Sequence, residues 1–392
     1  MKTSISVRHL GLPVALSIAG MLAACGGGGD SATAQGTVQV KLTDAPACGF
    51  DNVNVTVTKV RINQSATAGE SDAGWQDIAL DTPRTIDLLT LTNGLTTDLG
   101  IKTLPAGHYT QVRLVLDKTP SANSVVVSGA TKALSTPSGQ TSGLKVNIKD
   151  GGFDVTANST VNLVLDFDAC KSIVTQGNGS YALKPVITAF PVLATTGITG
   201  ITGSVATGLT APLVTAQQNG VVVKATVPTS DGKFDLSPLP DSSVSYVVVL
   251  TADGRTTAAI TGVPVTSGQK TAIGTTITPT VSTTQRIISG TATPVAAQAL
   301  VRATQNYSNG TTVEVGFKNA DASTGQYSLT VPVEAPLLGS YSTSAITLAP
   351  DVSATAGKYT LQASATGYAS QTANVDVGSA DATANFTLVP TP

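Results

Sequence analysis

Apolar residues return at every second position in stretch after stretch of this chain, and that period commits it to β-structure. In TVQVKL, Val38, Val40 and Leu42 share one face; in QVRLVLD, Val112, Leu114 and Leu116 do. In VNLVLDFD the inward set is Val161, Leu163, Leu165 and Phe167. Side chains alternate across a strand, so each run has one face to bury. NVNVTVTKVRI departs from the rule: Val53, Val55 and Val57 have one parity, Val60 and Ile62 the other. A strand that changes faces midway predicts a β-bulge near Thr58 or Lys59. The segment DTPRTIDLLTLTNG has room for one helical turn, and the remainder of 36–194 reads as an antiparallel sandwich or barrel. Phe234, Tyr327 and Tyr359 follow glycine turns in alternating runs and are expected in cores.

Composition agrees. Charged residues are 12% of the chain, about half the usual share, and 38 Gly and 20 Pro supply turns for exported β-structure. Removing Lys2 and Arg8 from the 22 basic residues leaves 20 against 24 acidic, with no basic stripe. Nucleic acid is therefore not expected as a partner.

Residues 1–24 combine a cationic start (Lys2, Arg8) with the short apolar run LGLPVALSIAGMLAA. That run is too short to span a bilayer and has the layout of a secretory signal. Its end, LAAC (Leu22 to Cys25), closely resembles the bacterial lipobox. The resemblance implies cleavage before Cys25, diacylglycerol on its thiol and acylation of the new N-terminus, a membrane anchor of two or more chains. Gly26 to Gly29 then open a glycine-rich tether over 25–35. Gly26 after the cysteine, where an aspartate favours inner-membrane retention in enteric bacteria, implies the outer membrane.

The stretches VQVKLTDAPA, FDNVNVTVTKVRI, LPAGHYTQVRLVLD, TPSGQTSGLKVN, LDFDACKSIV and YALKPVI run in order through the first unit. Together they closely resemble bacterial lipoproteins of the domain of unknown function 4382 family. The resemblance implies an exported β-rich module and no established activity. Beyond Ile198 the chain looks duplicated: ITGSV and IISGTA open two units, 197–282 and 285–392, followed by APLVTAQQNG and AQALVRATQNYSNG. SYVVVLTADG and GKYTLQASATGYASQTANVDV come later, and the second copy carries an insertion between about 333 and 356. These motifs resemble carboxypeptidase regulatory-like domains, which implies two transthyretin- or Ig-like β-sandwiches acting as spacers or interaction modules.

Few residues offer chemistry. Apart from Cys25 the cysteines are Cys48 and Cys170, an even pair that reads as a disulfide in an exported chain. Such a bridge closes about 120 residues and stabilises by about 5 kcal/mol in the chain-entropy model. Once the signal is gone His108 is the only histidine, so a Ser–His–Asp triad has one candidate base, and no GxSxG or HExxH motif occurs. It reads as a turn residue. Asp166 and Asp168 alternate in LDFDA, which puts both opposite Leu165 and Phe167, roughly 7 Å apart. Asp44 ends its own strand four residues before Cys48, so a Cys48–Cys170 bond would draw it towards them. Three acids at one sheet end either satisfy turn amides or hold a hard cation such as Ca²⁺; acid–base catalysis is a third reading. Trp75, the sole tryptophan, is expected to pack rather than serve as a sugar platform.

The expectation is thus a non-enzymatic, lipid-anchored envelope protein that needs no cofactor, with calcium the one candidate ion. Its binding or scaffolding partner would be an envelope protein or a polysaccharide. The alternative is an envelope hydrolase, or a calcium-dependent binder, using Asp44, Asp166 and Asp168.

Overall fold

The computed structural model describes residues 34–44, 49–193, 197–240, 242–351 and 355–391. Cys25, most of the glycine tether and Cys48 lie outside these residues. The described chain is nearly all β, and 34–392 form one compact unit. None of its described helices is long and apolar enough to cross a membrane.

The first module packs one long sheet, and a small two-stranded one formed by Gly107–Tyr109 and Phe153–Val155, round one core. Val38, Val40, Leu42, Leu163, Leu165 and Phe167 are fully buried in it, with Leu99 and Leu104 from one end of the sheet and Ile173 and Leu183 from the other. The strand Asn52–Asn63 keeps both of its apolar sets inside because its register shifts between Val57 and Lys59 against two neighbours. The bulge expected from parity is there. Of the segment expected to hold a helical turn, only Leu88–Thr90 is helical, a 3-10 turn capped by Asp87; the part before it belongs to the strand Gln76–Asp87.

One expectation is corrected. The sheet is mixed rather than antiparallel, because the strand Gln35–Asp44 runs parallel to Thr160–Phe167 and antiparallel to Thr97–Pro105. Two further parallel pairs join Tyr181–Leu183 to Ala130–Ser135 and Ile187–Leu193 to Leu144–Ile148. Short alternating runs specify a buried face but not the direction of the neighbour.

The second and third modules pair their strands in the same order. In the second, Gly200–Val205 lies between Lys233–Leu236 and Lys270–Ile277, while Leu213–Gln218 lies between Val221–Thr226 and Tyr246–Thr251, which pairs with Ala258–Val263. In the third, Gln285–Thr293 and Leu300–Asn306 hold the corresponding places. Each module has its own core, and Phe234, Tyr327 and Tyr359 are buried in them as expected.

The insertion in the third module does not stay there. Its strand Leu337–Ser340 adds in parallel to Ala258–Val263 of the second module, and Ala349–Pro350 pairs with it in turn. Leu337 and Ile346 are buried in the second module's core. A boundary at 282 therefore omits part of the second sandwich. Glu334 fixes the crossing: it accepts hydrogen bonds from the Ser282 and Thr283 hydroxyls and from the main-chain N–H groups of Thr283 and Thr284. Burial opposes its ionisation, but these bonds hold its carboxyl down at about 2.

Truncating Leu337 should therefore weaken a module to which it does not belong in sequence. Leu337→Ala is expected to cost roughly 3 kcal/mol, with faster amide exchange in Ala258–Val263 as the readout. Unchanged exchange there would show that the lent strand contributes nothing.

Candidate functional site

Parallel register brings two strand ends together. Thr43 stands opposite Asp166 and Asp44 opposite Phe167. Asp44 shares the parity of core-facing Leu42 and is wholly buried; one carboxyl oxygen accepts from the N–H of Ala169 at 3.0 Å. The other has no partner among the described residues. Burial pushes the Asp44 carboxyl well above the usual range, against the Ala169 hydrogen bond and Lys224, and with Asp168 and Asp166 reinforcing.

Asp166 has the opposite parity and meets the second module. Lys224, on the strand Val221–Thr226, is 2% exposed. Its ammonium lies 3.1 Å from Asp166 Oδ1, 3.2 Å from Thr43 Oγ1 and 3.2 Å from the main-chain oxygen of Asp44. The Thr43 hydroxyl donates elsewhere, to Leu91 O or Leu95 O, so towards Lys224 it accepts. All three ammonium protons are thereby engaged. Burial raises Asp166 as well, and the Lys224 charge only partly offsets this.

Asp168 does not join Asp166 on one face. The strand ends at Phe167, and Asp168 caps the short helix Ala169–Ser172 by accepting from Lys171 N at 2.9 Å. Lys171 opens a second cluster. Its amine is 3.6 Å from Asp168 and 3.2 Å from Glu314 of the third module, whose other oxygen is 3.3 Å from Arg302. Burial lowers the Lys171 amine, but Asp168 and Glu314 outweigh it and the group titrates above its ordinary value. Gln217 of the second module exchanges two hydrogen bonds with the Glu314 main chain, at 2.8 and 2.7 Å. Between these contacts lies a cavity of about 900 Å³ at the junction of all three modules, with Phe50, Lys171, Leu213, Glu314, Phe317 and Asn319 among its walls.

The three acids singled out in the sequence do meet at one sheet end, but the cations beside them come from the chain itself. Among the described residues no set of three or more His, Cys, Asp or Glu is arranged to hold a metal ion. Lys224, Lys171 and Glu314 were not singled out. Lys224 left a signal, being the one charge in the run VVVKATV, where a buried lysine requires a buried partner. Cys170 sits on the helix after Asp168. His108 bonds Asp154 at 2.8 Å, with both side chains largely exposed. Trp75 is half-buried, donates to Gly69 O, and has the guanidinium groups of Arg61 and Arg113 at 4.6 and 4.9 Å from its ring.

Fold and cluster together define a multi-module all-β protein with buried ion pairs, Lys224–Asp166 and Lys171–Glu314, where modules meet. Within it, residues 35–185 match the family model described as Domain of unknown function (DUF4382), so the first module is supported as that family's domain. No curated protein matches the chain. Among solved structures, the Bacillus anthracis TIE protein aligns at 11% identity and a TM-score of 0.17, over 92% of this chain and 51% of its own. The chain thus spans about half of that protein. The Corynebacterium diphtheriae major pilin SpaA aligns at 10% identity and 0.18, over 90% and 99%. Neither likeness is close enough to carry an argument.

Two measurements test the cluster. Lys224→Ala leaves Asp166 buried without its cation and should cost at least about 3 kcal/mol in urea unfolding, while Lys224→Met with Asp166→Leu should recover most of it. Asp44 binds its proton more tightly folded than unfolded, so its contribution is full below the ordinary value of 3.8 and is lost as pH rises through the raised one. Asp44→Asn should therefore show a shallower fall in stability between about pH 4 and pH 8 than the parent. An unchanged slope would mean that Asp44 titrates normally.

Proposed function

We propose that this chain is a non-enzymatic envelope lipoprotein, anchored through lipid on Cys25, whose modules serve as a rigid scaffold or binding support. The observation that carries the reading is where its buried charge is placed. Lys224 pairs with Asp166 and Lys171 with Glu314 across module boundaries, while the Asp44 carboxyl is buried beside them on the Ala169 N–H. A hydrolase would need one of these carboxyls free in a cleft, poised near a substrate. Here Asp166 and Glu314 are each engaged by a lysine of a neighbouring module.

The lipobox resemblance supports the anchor, and Gly26 supports the outer membrane as its site. The pairing order shared by the second and third modules supports reading them as carboxypeptidase regulatory-like sandwiches that hold a surface away from the bilayer. An envelope protein or polysaccharide is the partner such a surface would meet. A Cys48–Cys170 disulfide belongs to the same reading: the Asp44–Ala169 hydrogen bond runs between the chain segments that lead into the two cysteines.

Growing the host with a palmitate analogue should label the parent and not Cys25→Ala. Alkylation of the same preparation before and after reduction should expose two additional thiols. Label retained in Cys25→Ala would end the anchor assignment, and thiols free before reduction would end the bridge.

A further inference from the structure

The cavity of about 900 Å³ where the three modules meet is walled by apolar side chains that no core fully absorbs. Phe50, Tyr181, Leu213, Val222, Val315 and Phe317 all line it, and each is only partly buried. We propose that this cavity is a binding site for an uncharged, largely apolar small molecule built on rings. The inference goes beyond the scaffold reading and holds whether or not the chain carries a lipid.

Size and position set the kind of occupant. The volume falls in the range of pockets that take small molecules, about 300–1,000 Å³. Phe50 and Tyr181 come from the first module, Leu213 and Val222 from the second, and Val315 and Phe317 from the third. A folded partner would have to part three docked modules to reach all of these walls. A small molecule would not.

The rings narrow the choice. The chain is only 4% aromatic, and among its described residues six rings are incompletely buried. Three of the six line this one cavity. Phe50 and Tyr181 meet edge to face, with centroids 5.8 Å apart, and so hold each other in place. The Lys171 amine, 4.9 Å from the Phe317 centroid, steadies the third ring. Fixed rings reward a partner that is itself a ring, which gains an oriented contact beyond the area it buries. An acyl chain would gain the area alone.

Charge excludes an ionised ligand. Lys171 lies between Asp168 and Glu314, and Glu314 is shared with Arg302, so two acids and two bases close on one another. Lys318 and Asp321 add one charge of each sign at the walls. One Asp321 oxygen is taken by its own loop, accepting from the N–H groups of Ser323 and Thr324. No surplus charge remains among these groups to repay the desolvation of a carboxylate or an ammonium.

Photolabelling of the full-length protein with benzophenone, an uncharged two-ring probe that inserts into nearby C–H bonds, tests this by peptide mapping. Adducts are expected on the peptides that carry Tyr181, Leu213, Val222 or Phe317. Leu213→Trp fills the space from one wall and should remove them, while Phe317→Leu should raise the half-saturating concentration about fivefold, the size of one ring–ring contact. Excess naphthalene should suppress the labelling and 1-dodecanol should not; the anionic probe 4-benzoylbenzoate should label these peptides far more weakly. Adducts only elsewhere in the parent, or adducts kept on these peptides by folded Leu213→Trp, would overturn the site. Equal labelling by 4-benzoylbenzoate would overturn the uncharged class. Suppression by 1-dodecanol but not by naphthalene would replace the ring-bearing ligand with an acyl chain.

Discussion

The Lys224 cluster at the module junction depends on one parallel strand pair. Because Gln35–Asp44 lies alongside Thr160–Phe167 in the same direction, both strands finish at the same end of the sheet. An antiparallel pairing would have sent Asp44 to the far end from Asp166. With the parallel one, Thr43, Asp44 and Asp166 converge where the second module docks, and a single lysine can reach all three. The cost of burying that lysine is offset only because its partners are fixed by backbone pairing rather than by flexible loops.

Much of this was legible in the sequence, and the reason is specific. Alternation over four to six residues reports a buried face, so the cores, the bulge at Thr58 and the aromatic anchors Phe234, Tyr327 and Tyr359 could be read directly. Direction and partnership could not. Nothing in VQVKL says that its neighbour runs parallel, and nothing in LDFDA says that the strand stops at Phe167 so that Asp168 turns away to cap a helix. A Cys48–Cys170 bridge is one way to draw the acids together; the parallel register of Gln35–Asp44 with Thr160–Phe167 brings Asp44 and Asp166 to one sheet end by itself.

The buried cations were less legible than the acids. Carboxylates in alternation carry a metal-binding pattern, whereas lysines in a sparsely charged chain look like surface residues. Lys224 and Lys171 are the reverse case: each is buried because its carboxylate partner lies on another strand or in another module. A charge standing alone in an apolar strand, as Lys224 does in VVVKATV, implies a buried partner as strongly as paired aspartates imply a cation.

The strand that the third module lends to the second has a consequence for how the chain matures. As the polypeptide emerges N-terminus first, Ala258–Val263 is complete long before Leu337–Ser340 exists to cover its edge. The second sandwich must wait, with one flank open to any extended segment nearby, until the insertion is released. Synthesis thus sets a timetable in which the last two modules close together, and the chain is most exposed to mispairing in the interval before they do.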